Sequence, residues 1–209
     1  MIKMEYKRIT LLCGHYGSGK TNVALNMAYQ LKECYNNVAI ADLDIVNPYF
    51  RTKDSADELE KLGIKLIASE YAGTNVDIPA LPQEMYSITD DKSLKAVIDV
   101  GGDDRGALAL GRIAPSLIEE NDYECLFVIN KFRPLTSDVE STLEVMNEIE
   151  VAGKIKFTGI VNNSNLGVQT TASDVLDSVE YATEISKITG IPVKCTTVDQ
   201  RLYAELCEK

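Results

Sequence analysis

Short, almost unbroken apolar runs alternate along this chain with stretches in which apolar residues recur every three or four positions. Ile9-Thr10-Leu11-Leu12-Cys13 is a run of strand length that ends at Gly14. From Lys20 to about Cys34, Val23, Met27, Leu31 and Cys34 fall on one face of a helix. The strand pattern returns at Val38–Ala41, Ile64–Ala68, Ala96–Ile98, Leu126–Ile129, Phe157–Val161 and about Val193–Thr197. Helical spacing separates these runs: Leu59 and Leu62 before Gly63; Val139, Leu143, Met146 and Ile149; then Leu176, Val179 and Ala182, with a last short helix closing the chain. Ser55 with Glu58 and Ser137 with Glu140 have capping-box spacing, and Ser173 is the expected cap of the helix that stops at Gly190 before Pro192. Glu70 to Thr89, holding Gly73, Pro79 and Pro82, reads as an irregular insertion with room for one helix. The pattern predicts a single α/β domain over 1–209: one mostly parallel central sheet of about seven strands, covered by helices on both faces. Ligands of such sheets bind at the carboxyl ends of the strands, so the residues after each strand are where chemistry is expected.

After the first strand, Gly14-His15-Tyr16-Gly17-Ser18-Gly19-Lys20-Thr21 matches GxxxxGK[ST] in its required strand–loop–helix context, which makes the fold a P-loop NTPase. Residues Gly14 to Asn22 are expected to wrap the phosphates of ATP or GTP with backbone N–H groups. Lys20 should reach the β- and γ-phosphate oxygens, and the Thr21 hydroxyl should ligate Mg²⁺. Asp42-Leu43-Asp44 follows the second strand, where an anionic acceptor could hold an attacking water in line. Asp99-Val100-Gly101-Gly102 has the DxxG arrangement of a metal-supporting aspartate and a glycine whose N–H faces the γ-phosphate. Asn162 and Asn163 end another strand, and an amide there offers both donor and acceptor to a base. Asn130-Lys131-Phe132-Arg133 has the first two residues of NKxD, but Arg133 replaces the aspartate that would grip guanine, which favours ATP over GTP.

These motifs, in this order over nearly the whole chain, resemble the MinD/ParA group of P-loop ATPases: the SIMIBI class, related to the deviant Walker A proteins and the CobQ/CbiA-type nucleotide-binding domains. The resemblance implies that Asp44 polarises the attacking water and supports Mg²⁺ through water, with Asp42 structural. It implies also that Asp99 supports the metal, that Asn162 reads the base, and that Thr197 to Gln200 close over it. At the group's signature lysine, which reaches across a dimer to the partner's nucleotide, this sequence has His15, its only histidine. The implied function is Mg²⁺-dependent binding and slow hydrolysis of a nucleoside triphosphate, expected to be ATP. It would serve as a switch on an unidentified protein partner, with a nucleotide-dependent homodimer possible. Alternatives are an ATP-dependent kinase or ligase acting on a small metabolite, its second pocket built from Tyr71 to Met85, and a nucleotide-binding regulator without hydrolysis.

Charge and cysteine content narrow the classes further. The net charge of −11 and the absence of a Lys/Arg cluster argue against nucleic acid as the main ligand. Cys13, Cys34, Cys125, Cys195 and Cys207 are scattered without CxC or CxxC pairing, as expected of reduced cytoplasmic thiols, with Cys13 and Cys125 as small buried hydrophobes. No apolar run approaches the roughly 20 residues of a spanning helix. Arg51, Arg105, Arg112 and Arg133 fall near the ligand-facing loops as candidate cationic fingers. The stretch Gly106 to Gly111 reads as the buried start of a helix or, alternatively, a dimer surface.

Overall fold

Apolar runs of this kind can bury both faces only inside a sheet covered by helices, and that is how they are arranged in the computed structural model. It describes residues 6–43, 56–68, 83–102 and 104–207, with the side chains of Gln83, Asp104 and Arg105 left out. The strands are β1 (Ile9–Cys13), β2 (Val38–Leu43), β3 (Lys65–Ala68), β4 (Lys95–Val100), β5 (Tyr123–Ile129), β6 (Gly159–Asn162) and β7 (Val193–Thr196). The helices are α1 (Lys20–Cys34), α2 (Ala56–Lys61), α3 (Gln83–Asp90), α4 (Asp104–Glu120), α5 (Val139–Gly153), α6 (Ala172–Thr189) and α7 (Gln200–Cys207). The strands form one sheet in the order β3-β2-β4-β1-β5-β6-β7, and every described pair is parallel. The crossover from β1 past β4 to β2 puts the end of β1 at the middle of the sheet, between β4 and β5.

Period-two alternation sorts the side chains into two cores. Leu11 and Cys13 face one, built with Leu110, Ile113 and Leu117 of α4, Met146 of α5 and Ile185 of α6. Leu12 faces the other, with Val23, Met27 and Leu31 of α1 and Leu59 of α2. Cys13 and Cys125 are fully buried on neighbouring strands with sulfurs 4.0 Å apart, and contact with Cys13 together with burial pushes the Cys125 thiol well up. Both behave as small hydrophobes, as expected. None of the described helices is long and apolar enough to cross a membrane.

Two helix starts differ from expectation. The N-cap of α5 is Asp138, whose carboxylate accepts from Ser141 N at 2.9 Å, while Ser137 Oγ donates back to Pro134 O. The cap of α6 is Thr171, in a reciprocal capping box with Asp174, so Ser173 falls inside the first turn. Gly190, at φ 74°, does end α6, and Gly63 follows α2 at φ 67°. Ser55 lies outside the described residues.

At the amino ends of the strands, Arg8 is buried and fully committed. Its Nη1 donates to the carbonyls of Ile88 (2.8 Å), Asp91 (3.1 Å) and Leu94 (3.1 Å), and its Nε and Nη2 grip the Glu120 carboxylate in a fork. One side chain thereby joins β1, the α3–β4 turn and the last residue of α4.

Candidate functional site

The chain leaves β1 at the sheet centre and turns immediately into the GxxxxGK loop. Gly19, the N-cap of α1, sits at φ 87° and ψ 21°, a left-handed conformation that glycine adopts without strain. Any Cβ there would collide with the Asn163 amide, so glycine is required for space as well. No side chain caps α1 and no acidic residue stands in its first turn. The positive end of its dipole therefore meets the loop with no carboxylate of its own first turn beside it, which favours an anion there. Lys20 is only 7% exposed, deep for an ammonium group. Its Nζ donates to Gly14 O at 2.9 Å and His15 O at 3.2 Å, which holds the charge inside the curve of the loop.

The β4 end lies directly against this loop. A Cβ on Gly102 would stand 2.6 Å from Tyr16 N and 3.0 Å from His15 C, so only glycine lets the two backbones meet. Asp99 is 1% exposed and pairs in register with Leu12 of β1 and with Asp42 of β2. Paired residues of neighbouring strands share a sheet face, so two carboxylates stand side by side one residue short of the phosphate loop. Among the described residues no group of three His, Cys, Asp or Glu side chains is placed to hold a metal ion. Magnesium bound with a nucleotide does not need one, because phosphates and water supply most of its oxygens. A Thr21 hydroxyl and an Asp99 carboxylate fit that donor set.

Asn162, expected to face the base, is fully buried in the fold. Its Nδ2 donates to Ser178 Oγ (2.9 Å) and Thr196 Oγ1 (3.4 Å), and its Oδ1 accepts from Ser164 N (3.2 Å) and Ser164 Oγ (2.7 Å). The next residue is the one that meets the phosphate loop: Asn163 Nδ2 donates to Ser18 O at 2.6 Å, and its Oδ1 accepts from the Thr197 hydroxyl. The Asn130 side chain is likewise internal, with Nδ2 on Asn165 O (3.3 Å) and Oδ1 accepting from Phe132 N (3.0 Å) and Asn165 N (3.3 Å). In this geometry Asn130-Lys131-Phe132-Arg133 is a staple between two loops, and Arg133 reaches the phosphate loop, donating from Nε to Gly17 O at 2.9 Å.

His15 is half-buried, its Nδ1 within 3.0 Å of Tyr16 O, while Tyr16 is 65% exposed at the loop surface. In α4, Ala107, Ala109 and Leu110 are buried as expected of a helix start, whereas Leu108 is 61% exposed. Arg112 lies on the same helix. Asp44, Arg51 and Asp103 lie outside the described residues, as do residues 71–82 of the expected second pocket, whose last residue, Met85, is buried in the core.

No protein-family model matches the sequence, and no curated protein matches it. Solved structures do resemble the fold. The signal recognition particle receptor FtsY from Elizabethkingia anophelis matches with a TM-score of 0.58 at 17% identity, over 95% of this chain and 60% of that one. The cell division protein FtsY from Thermotoga maritima matches with a TM-score of 0.62 at 18% identity, over 96% of this chain and 64% of that one. The signal recognition particle 54 kDa protein from Aeropyrum pernix K1, in complex with GDP, gives 0.54 at 16% identity, over 99% of this chain and 47% of that one. This chain thus spans less than two thirds of the length of each. What the likeness establishes is the architecture: an α/β fold of the P-loop NTPase kind, seven parallel strands with helices on both sides.

Proposed function

We propose that this chain binds a magnesium-complexed purine nucleoside triphosphate at Gly14 to Asn22 and hydrolyses it slowly, as a switch read by a partner protein. The observation that carries this reading is the uncapped start of α1 beside the buried Lys20 ammonium, on a loop whose glycines leave the backbone free to curl. Lys20 holds the β- and γ-phosphate oxygens, Thr21 and Asp99 hold the metal, and the Gly102 N–H faces the γ-phosphate. Bound magnesium would neutralise charge developing on the phosphate oxygens. Asp44, two residues beyond Asp42, orients the attacking water.

For the base, the internal position of Asn130 removes the reason for preferring adenine, because that segment is a loop staple and not a base clamp. Two of the similar structures were solved with GDP. We therefore place GTP ahead of ATP, with Asn163 and the Thr197 to Gln200 segment on the base side of the loop and Asn162 supporting them from the core. A protein partner is supported by the exposed Tyr16 and Leu108 beside the site, and by similar structures named as a particle's receptor and as one of its proteins. A second copy of this chain is one such partner.

Replacing Asp44 with Ala separates chemistry from binding. Hydrolysis of Mg·GTP, or of Mg·ATP if that is the substrate, should fall by about 100-fold or more, the usual loss when a positioned proton acceptor is removed. Triphosphate affinity should stay within about threefold of the unaltered protein, since the carboxylate acts on water and not on phosphate. Equal losses in turnover and affinity would contradict the role given to Asp44.

A further inference from the structure

Arg133 is not explained by folding alone. Its side chain lies across the outer surface of Gly17: a Cβ on that glycine would be 3.5 Å from Arg133 Nε and 3.7 Å from both Cδ and Cζ. The same Nε donates to Gly17 O at 2.9 Å. In a trans peptide the C=O and the following N–H point in opposite directions. Fixing the Gly17 carbonyl toward Arg133 therefore fixes the Ser18 N–H the other way, where it closes a turn on His15 O at 3.2 Å. The next peptide plane is held in the same manner, because Asn163 Nδ2 takes Ser18 O and so orients the Gly19 N–H. Glycine peptides flip at little cost, and Gly17 and Gly19 are both in the left-handed region. Without outside partners, these planes would sample orientations that point carbonyl oxygens at a phosphate.

The mount of Arg133 is rigid. Pro134 behind it excludes helical backbone for Arg133, which sits at φ −110° and ψ 140°. Its N–H bonds Asn130 O at 3.0 Å, and its carbonyl accepts from Thr136 N at 3.0 Å. Thr136 is fully buried, with Oγ1 on Asn130 O (2.7 Å) and its carbonyl accepting from Tyr181 OH (2.8 Å). The loop therefore rides on α6 through Tyr181, a phenol whose pKa burial pushes up to about 12.

We infer that Arg133 is a positioning residue for nucleotide binding: its bond to Gly17 O keeps the phosphate loop in its anion-receiving shape before the ligand arrives. The inference rests on the nucleotide reading of that loop. Glutamine and lysine separate the bond from the charge. In Arg133→Gln the amide nitrogen lies the same number of bonds from the backbone as arginine Nε, without charge. Arg133→Lys keeps the charge but carries its nitrogen one bond further out. Stopped-flow binding of mant-GTP and mant-ATP, each with Mg²⁺, to the full chain and to the Ala, Gln and Lys variants is the test, with thermal midpoints as the folding control. Arg133→Ala should weaken binding about tenfold, mainly through slower association, as loss of a charge-assisted bond to a carbonyl implies. Its thermal midpoint should stay near that of the unaltered protein, and Arg133→Gln should recover most of the loss. Recovery by lysine but not glutamine would overturn the inference, as would Ala binding as fast and as tightly as the unaltered chain. Failure of the unaltered chain to bind either probe would bring down the nucleotide reading and this inference together.

Discussion

Replacing Lys20 with Ala should lower the affinity for magnesium triphosphate by about 100-fold or more and leave the fold intact. The Lys20 ammonium is buried in the loop, where it donates to two carbonyls, Gly14 O and His15 O. A triphosphate arriving at the α1 start meets this charge already desolvated and aimed. Each charge-assisted hydrogen bond is worth about 1.5–3 kcal/mol, and two of them correspond to at least two orders of magnitude in affinity. The substitution leaves both hydrophobic cores untouched, so the protein should still melt cooperatively. Fluorescence titration with mant-GTP and mant-ATP, together with a melt of each protein, checks both statements. A Lys20→Ala protein that binds as well as the original would mean that phosphate goes elsewhere.

The second large effect lies at the opposite end of the sheet and concerns stability. Arg8→Ala removes three bonds to backbone carbonyls and leaves the Glu120 carboxylate, which is 12% exposed, with the exposed Lys92 ammonium (2.9 Å) in place of its buried fork. Breaking a buried pair on one side costs about 3–5 kcal/mol, which for a chain of this size lowers the thermal midpoint by roughly 10 °C. The pH dependence follows from Glu120. Its hydrogen bonds from Arg8 first, and then the bond from Lys92, hold the carboxyl below its ordinary value of 4.5, against the opposing effect of burial. A carboxylate depressed in the folded state stabilises fully above that ordinary value, and the contribution is lost as pH falls through the lower folded one. Urea unfolding of both proteins should show their gap largest at neutral pH and narrowing below about pH 4.5. A gap under about 1 kcal/mol at neutral pH would show that the Arg8 cluster adds little.

The sheet was legible because each strand is a local apolar run and the phosphate loop is a contiguous motif with its strand and helix attached. The places where the reading slipped are those where one or two residues change the geometry. At the end of β6 successive side chains still point to opposite sides, so the adjacent asparagines differ completely: Asn162 enters the core while Asn163, the residue after the strand, meets Ser18. Either amide satisfied the chemical requirement, and only the register decides between them. Helix caps slipped for a similar reason, since Asp138 stands beside Ser137 and Thr171 stands two residues before Ser173, all of them residues that can cap. Arg8 gave no signal because its partners are 80 to 112 residues away in the chain. Arg133 was noticed as an arginine near the ligand-facing loops, but its partner, Gly17, is 116 residues distant. The NKxD-like fragment has the right residue type at Asn130 but sits in a loop that points its amide inward.

Isothermal titration calorimetry of the unaltered chain with Mg·GTP and Mg·ATP asks most directly whether Gly14 to Thr21 hold a polyphosphate. A buried ammonium facing an uncapped helix start predicts saturable, one-site binding of at least one of the two triphosphates, with much weaker binding of the corresponding nucleoside. No measurable heat with either triphosphate at several temperatures, on protein that melts cooperatively, would contradict it.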